Sequence, residues 1–451
     1  MPCPRRAFKG DVLMENQMKR RFPERSHHTT LMRLVALAGV AIMAAACGSG
    51  ATPTPIPEPI KLRYVTFAGL NAAEETLVHQ FEADNPQITI EVEEYRQAPD
   101  QYFAGTPVPD LMLMTPGQML DSAIDSGKLT DLSELRQDSA AEQAYLPNLR
   151  PLGAHEGRQY FLPVGYDWSG IYYNKQIFAQ FGLQPPGTWD EFIQLCETLW
   201  LNGLTPLSVS GADPFMGTLW LDYLDLRLNG PEFHRQFSAG EVGYDDPRLR
   251  SVFELWASLV EKGYFVQTAG RMGIGDALAA VAPARAAGDA PVAMVLSGPA
   301  FMGGLAPEQR DLLGFFPFPT LDPSQPPAEV VMSIGYIVPA QAPQRDAALA
   351  FVRRLASAEG RALLVKDIVA SGLYAPASAT AEGEVLPERL RQGIELMQQA
   401  DAVTIPYYMS VPTTLWPALS DMLRQIYVVP ESGKSLDLDA LLSKMEAART
   451  K

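Results

Sequence analysis

Three histidines follow residue 46, His79, His155 and His234, and no two of them stand at metal-ligand spacing. A zinc hydrolase is excluded on that ground. A G-x-S-x-G elbow is absent, which removes the commonest serine hydrolase arrangement. The three cysteines, Cys3, Cys47 and Cys196, are too few for a disulfide scaffold. Cys196 falls among Phe192, Ile193, Leu195 and Leu199 in an apolar helical pattern, the setting of an inert buried thiol rather than a nucleophile. Carboxylates are plentiful, 52 in all, so a general acid and base pair of an extracellular carbohydrate-active enzyme remains an open rival, although no spacing singles one out. The tyrosine pairs Tyr172-Tyr173 and Tyr407-Tyr408 offer phenolates to ferric iron, a second rival. The first pair suits a buried strand, where neighbours face opposite sides.

Cys47 is the cysteine with a chemical context. A basic stretch ends at Arg33, thirteen uncharged residues run from Leu34 to Ala46, and Ala44-Ala45-Ala46 precedes Cys47-Gly48-Ser49. A basic start, a short apolar core and small residues before a cut mark an export signal. The run is too short to span a bilayer, which takes ~20 apolar residues. The segment resembles a bacterial lipoprotein signal, with Ala44 where that family usually has leucine. The resemblance implies a cleaved signal over 1–46 and a lipid on Cys47. The protein would then be tethered to the outer face of the bacterial cytoplasmic membrane. Residues 47–59, rich in glycine and then proline, read as an extended tether. The formal charge is −16, and the leading segment is basic, so the remainder is more acidic still. Such a surface argues against nucleic acid as a partner.

The elements that must position a site follow from periodicity. Residues 61–67 read as a strand. Asn71 and Glu74 form a capping box opening a helix that carries Leu77, Val78 and Phe81 and stops at Asn85-Pro86. Residues 87–95 alternate Ile88, Ile90 and Val92 inward as a second strand, and Asp110–Met114 form a third. A helix from Gln118 stops at Gly127. Thr188 and Glu191 make another capping box, and Asp246-Pro247 open a helix through Leu249, Val252, Phe253, Trp256 and Leu259 to Gly263. Short apolar strands are predicted at 291–296, 313–318 and 330–338, and helices at 344–358, 386–400, 412–428 and 437–449. Strands alternating with helices mean an α/β chain with crossover connections. A chain of 451 residues exceeds one typical core.

Five stretches carry a broader resemblance: FEADNPQITIEVE (81–93); GTPVPDLMLM with SGKLTDLS (105–114, 126–133); LPVGYDWSGIYYNKQIFAQFGLQPPGTWDEF (162–192); VAMVLSGPAFM (292–302); and SIGYIVPA with DAALAFVRRLASAEG (333–360). Together they resemble the extracytoplasmic solute-binding proteins of carbohydrate ABC transporters, the group similar to maltose-binding protein. That family implies an α/β, two-lobed periplasmic-binding-protein fold with hinge strands, an interlobe ligand cleft and a helical C-terminus. On this reading residues 60–163 plus 318–375 form one lobe and 164–317 plus 376–451 the other. The implied partners are a sugar and the subunits of an ABC permease. The implied protein is a monomer without cofactor or metal and without catalysis. A polyamine, iron or an anion on the same fold is the alternative.

Sugars present hydroxyls at the rim and C–H bonds on their faces, so carboxylates, amides and flat rings are the groups sought. The resemblance implies an acidic contact near Asp167, beside Trp168, after a break at Pro163–Gly165. It likewise implies an acidic and an aromatic contact at Asp213 and Phe215. Phe301 stands next to the place where the family usually has tryptophan, and Trp416 lies where some relatives stack a sugar. In the first lobe the loops after strand ends offer Phe67 and Gln118.

Overall fold

The computed structural model describes residues 58–136, 146–283, 292–371, 374–377, 386, 388–431 and 435–450. Cys47, the run Leu34–Ala46 and nearly all of the 47–59 tether lie outside them.

Strands β1 (Ile60–Thr66), β2 (Ile88–Glu94) and β3 (Leu111–Met114) come first, and β4 (Ala154–His155) and β5 (Arg158–Gln159) form a small hairpin. They are followed by β6 (Leu162–Trp168), β7 (Gly170–Asn174), β8 (Thr205–Ser208) and β9 (Val292–Ser297). Last come β10 (Leu313–Phe316), β11 (Ala328–Ile337), β12 (Ala375–Pro376) and β13 (Ala402–Thr404). Two larger sheets result. One has the order β12-β6-β11-β3-β1-β2, with β13 also pairing β11; the other has the order β10-β7-β9-β8. Within the first, β1 pairs in parallel with β2 and β3, and β11 runs antiparallel to β3 and β6.

Local chemistry sets these elements. The helix Ala72–Asp84 opens on the predicted reciprocal cap: Glu74 N donates to Asn71 Oδ1 at 2.8 Å and Asn71 N to Glu74 Oε2 at 3.1 Å. Thr188 and Glu191 cap Trp189–Leu201 in the same way. The helix Pro247–Glu261 buries Leu249, Val252, Phe253, Trp256 and Leu259, as their spacing requires. Asp110, 3% exposed, accepts from Arg63 N and Gln344 N and ties β1 to the helix Arg345–Ala356.

Two expectations change. Val92 is 36% exposed, whereas Ile88 and Ile90 of the same edge strand are buried, so the inward alternation of β2 stops at Ile90. Pro163–Gly165 does not break the chain; both residues lie inside β6. The pairing absorbs the proline instead: Ile334 and Gly335 of β11 face Gly165 and Pro163, a register shift that leaves Val164 of β6 as the extra residue. A Cβ on Gly335 would stand 2.3 Å from Leu162 O, so this close approach needs glycine.

A single residue, Ser169, separates β6 in the first sheet from β7 in the second. The chain returns to the first sheet between β10 and β11 and contributes β12 and then β13 to it before the last helices. The helices Glu388–Gln399, Trp416–Glu431 and Leu438–Arg449 make the C-terminal part helical.

Candidate functional site

The carboxyl ends of the neighbouring parallel strands β1 and β3 release two loops, Thr66–Asn71 and Thr115–Met119. Both line one cavity of about 600 Å³. Crevices outside strand carboxyl ends are where open α/β sheets collect ligands, and this volume suits a small molecule. The opposite wall comes from the helix Pro214–Gly217, the turn Pro299–Gly304 and residues 408–416, and the floor from Met332 and Ile334 of β11. Along β11, Val331 and Ser333 are buried on the other face, so strand alternation brings Met332 and Ile334 to the cavity.

The rings of this wall form a chain. Phe301 lies 5.5 Å from Phe215, Phe215 meets Tyr408 nearly edge-on at 5.9 Å, and Tyr408 stacks on Trp416 at 4.5 Å and 19°. Trp416 Nε1 donates to Tyr408 O at 3.1 Å, which fixes the indole plane. Across the cavity Phe67, 45% exposed, leans on Tyr95 at 5.1 Å. Glu74 is the buried carboxylate of the site. Its Oε1 accepts from Tyr64 and Tyr336 hydroxyls at 3.0 and 2.6 Å, and its Oε2 accepts from Asn71 N. Gly117, at φ 142°, brings its loop against the backbone of Met409; a Cβ there would stand 2.6 Å from Met409 O.

Five sequence-predicted residues therefore line the cavity: Phe67, Gln118, Phe215, Phe301 and Trp416. Asp213 stands behind it. Its Oδ1 accepts from Phe215 N at 3.0 Å as the helix cap. The Tyr408 phenol is pushed above its ordinary range by burial and then by the Asp213 charge.

Asp167 and Trp168 are corrected. Both are 1% exposed, and neither lines the cavity. Asp167 Oδ2 accepts from Ala300 N at 3.4 Å, beneath the turn that presents Phe301. Its Oδ1 has no partner among the described residues. Burial pushes this carboxyl up to about 8. Trp168 packs edge-on against Phe315 and lies so close to Gly393 that a Cβ there would fall inside the indole. The cause is tertiary: β6 is an interior strand covered on both faces, so adjacent residues are both buried.

Sequence reasoning missed Glu74, Tyr408, Met332 and Met409 as lining residues. Glu74 was legible only as half of a capping box and Tyr408 as half of a tyrosine pair. The structure divides that pair: Tyr407 is buried with its hydroxyl 2.7 Å from that of Tyr244, and Tyr408 faces the cavity. Tyr172 is likewise fully buried. Cys196 is buried, which holds its thiol well above the ordinary range. Among the described residues no group of three or more His, Cys, Asp or Glu could hold a metal ion, and no helix is long and apolar enough to cross a membrane.

Two sheets joined by crossing strands, with an aromatic cavity between their loops, define a two-lobed solute-receptor fold. Residues 66–362 match the bacterial extracellular solute-binding proteins, and the chain belongs to that family. It is similar to the osmoprotective compounds-binding protein GgtB of Synechocystis sp., 30% identical over 161 residues, 34% of this chain and 38% of that protein. It is also similar to the multiple sugar-binding protein of Streptococcus mutans, 26% identical over 202 residues, 41% of this chain and 43% of that one. The chain spans between about a third and three fifths of the length of such curated relatives. Among solved structures, the bacterial solute receptor AcbH superposes with a TM-score of 0.73 at 19% identity, covering 86% of this chain and 98% of that one. A chitin oligosaccharide binding protein superposes equally well at 19% identity, covering 87% and 98%. These likenesses establish the two-lobed fold.

Proposed function

We propose that this protein captures an uncharged sugar or oligosaccharide outside the cytoplasm and delivers it to the permease of an ABC transporter. The observation that carries the reading is the continuous chain of rings Phe301, Phe215, Tyr408 and Trp416 along one wall of the cavity. Flat rings bind the C–H faces of sugars, and amides and hydroxyls such as Gln118 and Thr115 accept and donate at the rim. The relatives support it: AcbH is described as exclusively preferring β-D-galactopyranose, and others as binding chitin oligosaccharides or multiple sugars.

The two lobes close on the ligand about Ser169 and β11; β6 through Trp168 and the strand β13 go with the first sheet, so the lobe bounds differ from the expected breaks at 163 and 376. The chain works as a monomer, held to the outer face of the cytoplasmic membrane by lipid on Cys47. It binds without turning its ligand over. An osmoprotective small solute is the second reading, favoured by the identity to GgtB.

The test is a thermal-shift screen over mono- and oligosaccharides, small osmoprotectants, spermidine and ferric iron, followed by calorimetric titration of the hits. Saccharide binding with no cleavage of a labelled oligosaccharide is the expected result. A response to spermidine or iron alone would overturn the sugar reading, and cleavage would move the protein to the enzymes.

A further inference from the structure

The described residues that line the cavity include no Lys, Arg, His or Asp. Its single carboxylate, Glu74, is already occupied: the Tyr64 and Tyr336 hydroxyls and the Asn71 N–H donate to its two oxygens. An anion finds no counter-charge here, and a cation finds a carboxylate whose oxygens are engaged.

The polar side chains are also unevenly placed. Asn71, Thr115 and Gln118 come from the segments after β1 and β3, which also add Phe67, Leu70, Pro116 and Met119. Thr66, at the end of β1, is 1% exposed with its hydroxyl donating to Gly69 O, and Asn71 Oδ1 accepts from Glu74 N. The facing wall and floor supply rings, the thioethers of Met332 and Met409, and the aliphatic side chains of Ile334 and Val411, with Tyr408 and Thr413 as the hydroxyls. A free oligosaccharide carries hydroxyls around its whole rim. Against this wall many of them would lose water without gaining a partner, at a cost for each. A molecule polar at one end and apolar at the other meets no such penalty.

We infer that the preferred ligand, given the sugar-binding reading above, is an uncharged glycoside with an apolar aglycone, its sugar held by the loops after β1 and β3 and its aryl or alkyl group lying between Met332, Met409 and the ring chain. The thioethers suit aglycones of varied shape, because methionine is flexible and polarisable and makes favourable contacts with aromatic rings. The apolar group supplies affinity without asking for hydrogen bonds.

The experiment compares matched pairs by calorimetric titration of the purified protein: free sugar, methyl glycoside and phenyl glycoside of each sugar in the screen. The phenyl glycoside is expected to bind at least ~10-fold tighter than the methyl glycoside, since burying one aromatic ring is worth more than a factor of ten. Met332→Gln and Met409→Gln, near in size and folded by melting curve, are expected to shrink that ratio several-fold. A phenyl glycoside that binds no tighter than its methyl partner, or a ratio unchanged in both variants, overturns the aglycone inference and leaves the sugar reading standing. Failure of every saccharide and glycoside to bind overturns both.

Discussion

Phe215 and Trp416 occupy the cavity wall for different local reasons. Phe215 sits in a one-turn helix started by Asp213 and Pro214, and Trp416 is held by its hydrogen bond to Tyr408 O and by stacking on that residue's ring. Both are partly buried, so truncation removes ligand contact more than core. Phe215→Ala and Trp416→Ala are each expected to weaken binding of the best saccharide by ~10- to 100-fold, with melting temperatures close to wild type. Calorimetry beside melting curves checks this; wild-type affinity in both variants would remove the ring chain from the site. Gly117 tests the opposite wall. Its φ of 142° and the 2.6 Å separation between an added Cβ and Met409 O leave no room for a side chain. Gly117→Val is expected to push the two loops apart and lower affinity by ~10-fold or more, a change read by the same titration.

Among the elements, the helix Leu219–Ser238 holds both crossing strands. The Tyr223 hydroxyl lies 2.5 Å from Ser169 O, between β6 and β7, and 3.0 Å from Glu329 Oε2 at the start of β11. Arg227 Nη2 donates to Glu329 Oε1 at 2.6 Å, and Arg227 Nη1 donates to Ala328 O. The pair is almost fully buried, with side chains 10% and 4% exposed. Removing one partner therefore leaves a buried charge uncompensated. Glu329→Ala is expected to destabilise by ~3–5 kcal/mol, whereas the double change Arg227→Met with Glu329→Leu costs much less. Urea midpoints of the three proteins decide it, and a double variant no better than Glu329→Ala would refute the uncompensated-charge explanation.

At the scale of the whole molecule, buried ionisable groups set a pH dependence. His234 is fully buried, with Nδ1 2.8 Å from Asp225 Oδ2 and Nε2 3.3 Å from Asp222 Oδ1. Burial opposes the ring's charge, but the hydrogen bonds to Asp222 and Asp225 prevail and raise it from 6.5 to about 9. Its stabilisation is present below pH ~6.5 and lost as pH rises to about 9. Asp167, raised from 3.8 to about 8, acts in the same direction between those values, because folding must bury its charge once it ionises. The melting temperature is expected to fall steadily from pH 6 to 9. In Asp167→Asn the fall is expected to be shallower, with the variant gaining on wild type as pH rises from 5 to 8.5. An equal slope in both proteins would remove Asp167 from that account. Ligand closure belongs to this scale too. Scattering is expected to give a smaller radius of gyration on saturation with ligand, since a ligand favours the state it contacts better, and an unchanged radius with proven binding would exclude lobe closure. Cys47→Ser is expected to move the protein from the membrane fraction to the soluble exported one.

By itself the sequence determined what depends on neighbours along the chain. The caps at Asn71 and Thr188, the apolar stripe of Pro247–Glu261 and the strand-end loops carrying Phe67 and Gln118 all follow from spacings of a few residues, where backbone geometry leaves few choices. Phe215, Phe301 and Trp416 were legible through the resemblance to the solute-binding family rather than from any local spacing. Only the tertiary structure decided which way a strand residue faces. Asp167 and Trp168 stand beside the crossing at Ser169 in sequence, yet Gly393 and Ala300, from remote segments, close over both faces of β6 and bury them. The same long-range packing sorted Tyr407 inward and Tyr408 to the cavity, and brought Met332 to its floor. Burial is a property of what packs against a residue, and no local pattern contains it.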